Sequence, residues 1–183
     1  MASDEPRYIK EPVPAILAEA GIEIRRYDAV LIASVTVRGD SWRDASSVAF
    51  RPLANYIFGA NEGGEQIGMT TPVTTHQLSA QDGSLWEVRF FMPERYRANT
   101  LPAPQSPYIS VDEQPNARFA VIRFSGHAQN TKGVENFAKH EAQLRKLLAQ
   151  ADLRDDGVAH YAVYNGPWTP AILRRNEVLI TLE

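Results

Sequence analysis

Residues able to do acid–base, metal or anion chemistry are thinly spread along this chain. Its four histidines, His76, His127, His140 and His160, are too scattered to form a spaced metal cluster. His127 falls in a Ser-Gly-His turn, His140 lies between Phe137 and Leu144 on a helical pattern, and His160 begins a strand pattern. His76 differs, because it ends a strand that follows the Asn61 to Glu65 turn, close to whatever groove the first long helix lines. A neutral imidazole there could ligate a haem iron; the plainer alternative is an incidental surface histidine. Arg174-Arg175 follows the apolar pair Ile172-Leu173. An apolar surface rimmed by guanidinium groups suits a flat hydrophobic anion with carboxylate tails, and the plainer alternative is a pair that caps the next strand through salt bridges.

Other chemistries lack their residues. There is no Walker loop, no Gly-x-Gly-x-x-Gly, no His-Glu-x-x-His and no Gly-x-Ser-x-Gly, so the common motif-borne enzyme classes are unsupported. Gly63-Gly64 reads as a turn rather than a phosphate cradle. The carboxylates show no pairing into an acid and a base. With no cysteine, a disulfide scaffold, thiolate metal sites and a cysteine nucleophile are excluded.

The 183 residues are 44% hydrophobic and 22% charged, a soluble globular composition long enough to fold as one domain. Nineteen Lys and Arg against 22 Asp and Glu leave a formal charge of −3, which argues against a nucleic-acid partner. Residues 1 to 14, with Asp4, Glu5 and Glu11 and no apolar run, do not read as a signal or transit segment. No run approaches the roughly 20 apolar residues of a membrane span. The expectation is a cytoplasmic protein.

The elements that must position these residues follow from periodicity. Residues 1–21 read as an extended, Pro-punctuated arm, ending in a short helical turn or loop before Gly21. Ile22 to Val37 reads as strand. Ser41-Trp-Arg-Asp44 has capping-box form and predicts a helix whose buried face is Ala45, Val48, Ala49, Leu53, Tyr56 and Ile57, with Pro52 breaking or kinking it. Phe50, Ala54 and Phe58 lie four apart on roughly the opposite side; they are covered either by the protein's own chain or by an apolar ligand or partner. A strand over Gln66 to Leu78, a turn at Gln81 to Ser84 and a strand alternating Trp86, Val88, Phe90 and Met92 follow. Pro93 to Pro115 holds five of the twelve prolines and reads as a long connection with one short strand at Tyr108 to Val111. Beyond it come a strand at Arg118 to Phe124, a helix from about Thr131 to Ala151, and strands at His160 to Tyr164 and Glu177 to Leu182. Each half is therefore strand, helix, strand, strand. The class is α+β: two pseudo-repeated β-α-β-β modules sharing a distorted antiparallel sheet or barrel, flanked by two helices.

Five strings together resemble the SOUL haem-binding protein family: Ile22-Glu-Ile-Arg-Arg-Tyr27, Tyr56-Ile-Phe-Gly-Ala-Asn61, Ile67-Gly-Met-Thr-Thr-Pro-Val73, Phe124-Ser-Gly126 and Arg174-Arg-Asn-Glu-Val178. The resemblance implies a single domain over residues 22–183, similar also to bacterial effector-binding domains. It implies non-covalent binding of haem b or an iron-free tetrapyrrole in a shallow groove between the first helix and the loop before the last strand, where Phe50, Ala54 and Phe58 meet Trp168, Ile172, Leu173 and Arg174. The chain departs from mammalian members in having Ser47 and Asn55 in place of basic side chains on the helix. It also has His76 in place of an apolar residue, which would make it a histidine-ligated version. The implied task is carriage, buffering or sensing of the tetrapyrrole. A haem-dependent enzyme with weak peroxidase-like or porphyrin-modifying activity, and an effector-binding module for another apolar ligand, are the alternatives.

Overall fold

The computed structural model describes residues 4–78, 85–128 and 130–183. In chain order the elements are β1 (Tyr8–Glu11), α1 (Ala15–Glu19), β2 (Glu23–Tyr27), β3 (Val30–Arg38), α2 (Trp42–Ile57), β4 (Val73–Gln77), β5 (Leu85–Phe91), β6 (Ser110–Gln114), β7 (Ala117–Phe124), α3 (Thr131–Gln150), β8 (Asp155–Val163) and β9 (Asn176–Leu182). They fall into two compact units, one comprising residues 1–6 and 29–115, the other residues 7–28 and 116–183.

The first unit is an antiparallel sheet in the order β4-β5-β3-β6 with α2 against it. Its β3, rich in Val and Ile, pairs through Ala33↔Phe90, Val35↔Val88 and Val37↔Trp86. The Trp86 indole donates to Gly39 O (3.0 Å), which fixes the turn into α2. Ser41 caps that helix, its oxygen accepting from Asp44 N at 3.2 Å. The core between sheet and helix contains Ala33, Val35, Ala45, Ala49, Leu53, Ile57, Val88 and Phe90.

The second unit runs β1-β2-β7-β9-β8, again antiparallel, with α3 against β7 and β9. Val121, Ala162 and Leu179 form one buried cluster, flanked by Tyr27, Phe119 and Tyr164. The other side of the sheet meets α3 through Phe124 and Phe137, whose rings lie edge-on at 4.8 Å. Each unit contains the expected β-α-β-β series, β3-α2-β4-β5 and β7-α3-β8-β9.

Several local expectations change. The strand read from Ile22 to Val37 is two strands that belong to different units, β2 and β3. Residues 8–11 of the arm form β1 on β2, in register Ile9↔Arg26. Only Val73–Gln77 of the Gln66 to Leu78 run is strand. The strand in the Pro-rich connection is Ser110–Gln114. The turn at residues 81–84 lies outside the described residues. Pro52 lies inside a helix that continues from Trp42 to Ile57. The donor missing at Pro52 would have met the carbonyl of Val48; Val48 is 59% exposed, so water can serve that oxygen. Val48 was expected on the buried face, but at about 100° per residue it falls about 60° beyond Ala45, outside the arc that meets the sheet.

Candidate functional site

In the first unit, α2 buries Trp42, Ala45, Ala49, Leu53, Tyr56 and Ile57. That face satisfies the sheet, yet Phe50 stays 43% and Phe58 59% exposed, with Ala54 half-buried between them. Phe50 keeps one edge on the sheet, its ring 5.5 Å from that of Phe90, while Phe58 stands just past the helix end. Its position is set by Asn61, which is fully buried. The Asn61 amide donates to Tyr56 O and Glu65 O, both at 2.8 Å, and its Oδ1 accepts from Glu65 N at 2.9 Å. Asn61 thus closes the turn after α2. Arg51 is exposed on the same side, about 20° around the helix from Phe58 at 100° per residue. It is a cation that the Ser47 and Asn55 comparison overlooked, and helical-wheel arithmetic suffices to find it.

His76 is placed elsewhere in this unit. Ser46 Oγ of α2 lies 2.6 Å from Thr75 Oγ1, so Thr75 and its partner Val88 face the helix. The next pair, His76↔Glu87, points to the opposite side of the sheet, because side chains alternate along a strand. There His76 is 6% exposed, with Nε2 at 3.5 Å from Glu87 Oε2 and 3.4 Å from Arg89 Nη2. Arg89 is also ion-paired to Glu87 and donates to Gln114 Oε1 at 2.7 Å. A single flat ligand lying on the outer face of α2 does not reach this imidazole. The structure therefore separates the two features that the sequence reading joined, an apolar face and an axial histidine. Among the described residues no cluster of three or more His, Asp or Glu forms a metal site.

In the second unit, the loop over residues 165–173 ends in a 3-10 turn, Ala171–Leu173. It carries Trp168, Ile172 and Leu173 at 84%, 79% and 70% exposure. The Trp168 ring covers Gly166, where an added Cβ would meet it at 2.3 Å. Arg174, expected to face a ligand, donates instead to the loop: Nε to Thr169 O (2.7 Å) and Nη2 to Pro167 O (2.8 Å). Arg175 follows the plainer alternative, its Nε 3.0 Å from Glu177 Oε1.

Glu177 is the centre of a cluster that the sequence did not reveal. It is fully buried and takes a bidentate pair from Arg25, also buried, at 2.8 and 3.0 Å. The Tyr164 hydroxyl donates to it at 2.7 Å. Burial alone would raise the Glu177 pKa; the hydrogen bonds and charge of Arg25, with help from Tyr164 and Arg175, reverse this and hold it below the usual carboxylate value. Burial pushes Tyr27 up to about 12, and Tyr164 is pushed upward chiefly by burial and then by the Glu177 charge. Every oxygen of this carboxylate is committed, so the cluster braces β2 against β9 and offers no free acid.

The chain is 28% identical to mouse "Heme-binding protein 1" over 164 residues, covering 87% of this chain and 83% of that one. It is 27% identical to human "Heme-binding protein 2" over 173 residues, covering 92% and 82%. Among solved structures, the C-terminal domain of EcmrR superposes with a TM-score of 0.67 at 10% identity, over 88% of this chain and 96% of that domain. That likeness bears out the α+β fold. The family model described as SOUL heme-binding protein matches residues 5–181, and the chain belongs to that family.

Proposed function

We propose that this protein binds haem b or an iron-free tetrapyrrole non-covalently, and that it carries, buffers or senses the macrocycle rather than transforming it. The observation that carries this reading is the outer face of α2. A helix whose inner face already fills the core leaves Phe50 and Phe58 open to solvent. Apolar area of this kind contributes roughly 25 cal/mol per Å² on burial, less the cost of immobilising the ligand. Membership of a family whose mouse and human relatives are named as heme-binding proteins supports the same ligand. The residues proposed to contact it in the first unit are Phe50, Ala54 and Phe58 on α2; in the second unit, the exposed Trp168, Ile172 and Leu173 of the 165–173 loop are proposed as a tetrapyrrole-contacting surface in their own right.

Arg51 supplies a guanidinium for a ligand carboxylate at the edge of the α2 face. His76 stays off the iron in this reading, because it lies across the sheet from α2. The test is a titration of wild type and Phe58→Asp with haemin and with iron-free protoporphyrin, followed by absorbance. Saturable binding of both by wild type, weakened in the variant, is the expected result. Absence of binding by the wild type would overturn the reading and bring forward an effector-binding module for another ligand.

A further inference from the structure

An exposed loop carrying Trp, Ile and Leu would ordinarily fold its apolar side chains inward or sample many shapes. This one is held from beneath. Its carbonyls at Pro167 and Thr169 both accept from the Arg174 guanidinium, at 2.8 and 2.7 Å, a two-point grip that the planar fork makes and a point charge does not. Within the loop Thr169 N donates to Gly166 O, and Leu173 N to Pro170 O. At its base Gly126 N donates to Ala171 O (2.9 Å), the Asn176 amide donates to Gly126 O (3.2 Å), and Arg175 N donates to Asn165 Oδ1 (2.7 Å). The 3-10 turn is thus tied to the start of β9, and Trp168, Ile172 and Leu173 are displayed on a braced frame.

We infer that Arg174 is a positioning residue that clamps this apolar platform open, and that the platform recognises the hydrocarbon surface of its ligand without reading its carboxylates. The ligand class on this unit therefore includes neutral tetrapyrroles, such as propionate esters, as well as the free acids. The inference rests on the proposed tetrapyrrole function and adds which chemical part of the ligand this loop reads. Pre-ordering the loop lowers the entropy lost on binding, which is how a residue that touches no ligand raises affinity.

Two measurements test it, and they fail separately from the proposed function. In the ligand-free protein, nitrogen relaxation of the Trp168 indole and the amides of residues 169–173 reads the clamp directly. The buried indoles of Trp42 and Trp86 serve as internal controls. Arg174→Ala and Arg174→Lys are both expected to mobilise the loop and leave the controls unchanged; a loop equally ordered in both variants overturns the clamp. Haemin and haemin dimethyl ester are then titrated into wild type and both variants. The expected result is a loss of about tenfold that is equal for acid and ester, with lysine failing to rescue. A loss confined to the acid, or full rescue by lysine, identifies a carboxylate anchor and overturns the inference. Wild type that binds neither probe overturns the proposed function and this ligand class together, while the relaxation result still decides the clamp.

Discussion

Phe58 and Phe50 probe the α2 face unequally, because only Phe50 touches the sheet. Phe50→Asp removes the edge contact to Phe90 as well as outer apolar area, so a stability loss of about 1 kcal/mol should accompany its weaker binding. Phe58→Asp should weaken binding with an unchanged melting temperature, which makes it the cleaner variant; cooperative unfolding of that variant would mark Phe58 as core. Arg51→Gln should lower affinity for haemin by about fivefold and leave the dimethyl ester unaffected, since one charge-assisted hydrogen bond contributes about 1 kcal/mol at an exposed rim. Equal losses for both ligands would remove Arg51 from carboxylate recognition. His76→Ala should leave the haemin absorbance spectrum intact, because the imidazole sits among Glu87 and Arg89 across the sheet. Loss of a histidine-type spectrum would restore it as the iron ligand.

Among the elements, α2 illustrates what periodicity conveys. Residues four apart identified Phe50, Ala54 and Phe58 as a second apolar stripe, whereas whether the protein's own chain covers it was not legible; the structure leaves Phe50 and Phe58 exposed. The continuity of α2 through Pro52 was not legible, since it depends on Val48 facing water. Nor was the role of Arg174: a sequence displays an arginine beside Ile172 and Leu173 but not the direction of two carbonyls five and seven residues upstream. Asn61 belongs to the same class of hidden support. Its three hydrogen bonds join the end of α2 to the 61–65 turn from a fully buried site. Asn61→Ala should cost about 3 kcal/mol, because the backbone groups it serves are left without partners, and should lower haemin affinity by displacing Phe58. A urea midpoint within error of wild type would contradict this.

At the scale of the molecule, the two units use one plan with a strand drawn from different directions. The order β4-β5-β3-β6 in the first corresponds to β8-β9-β7-β2 in the second. The fourth strand follows its module in one case and precedes every strand of the first unit in the other. Strand and helix order was legible from periodicity, whereas this borrowing was not, because hydrophobic alternation specifies a face but not a distant partner. The pair that secures it, Arg25 with Glu177, spans 152 residues. Its energetics give the second unit a defined acid sensitivity. Glu177 has a folded pKa below its ordinary value of 4.5, so the unfolded chain binds its proton first as pH falls. The stabilisation is fully present above pH 4.5 and is lost progressively below it, down through the folded pKa. Glu177→Gln should lose about 3 kcal/mol at pH 7 by leaving the buried Arg25 with only the partly exposed Glu23, 2.7 Å from its Nε, as counter-charge, and its unfolding free energy should fall less steeply than that of wild type between pH 5 and pH 3. Urea denaturation at stepped pH reads both quantities. A mutant curve parallel to wild type across that interval would show that other carboxylates carry the acid response, and an undiminished stability at pH 7 would show that β2 holds to the sheet without this pair.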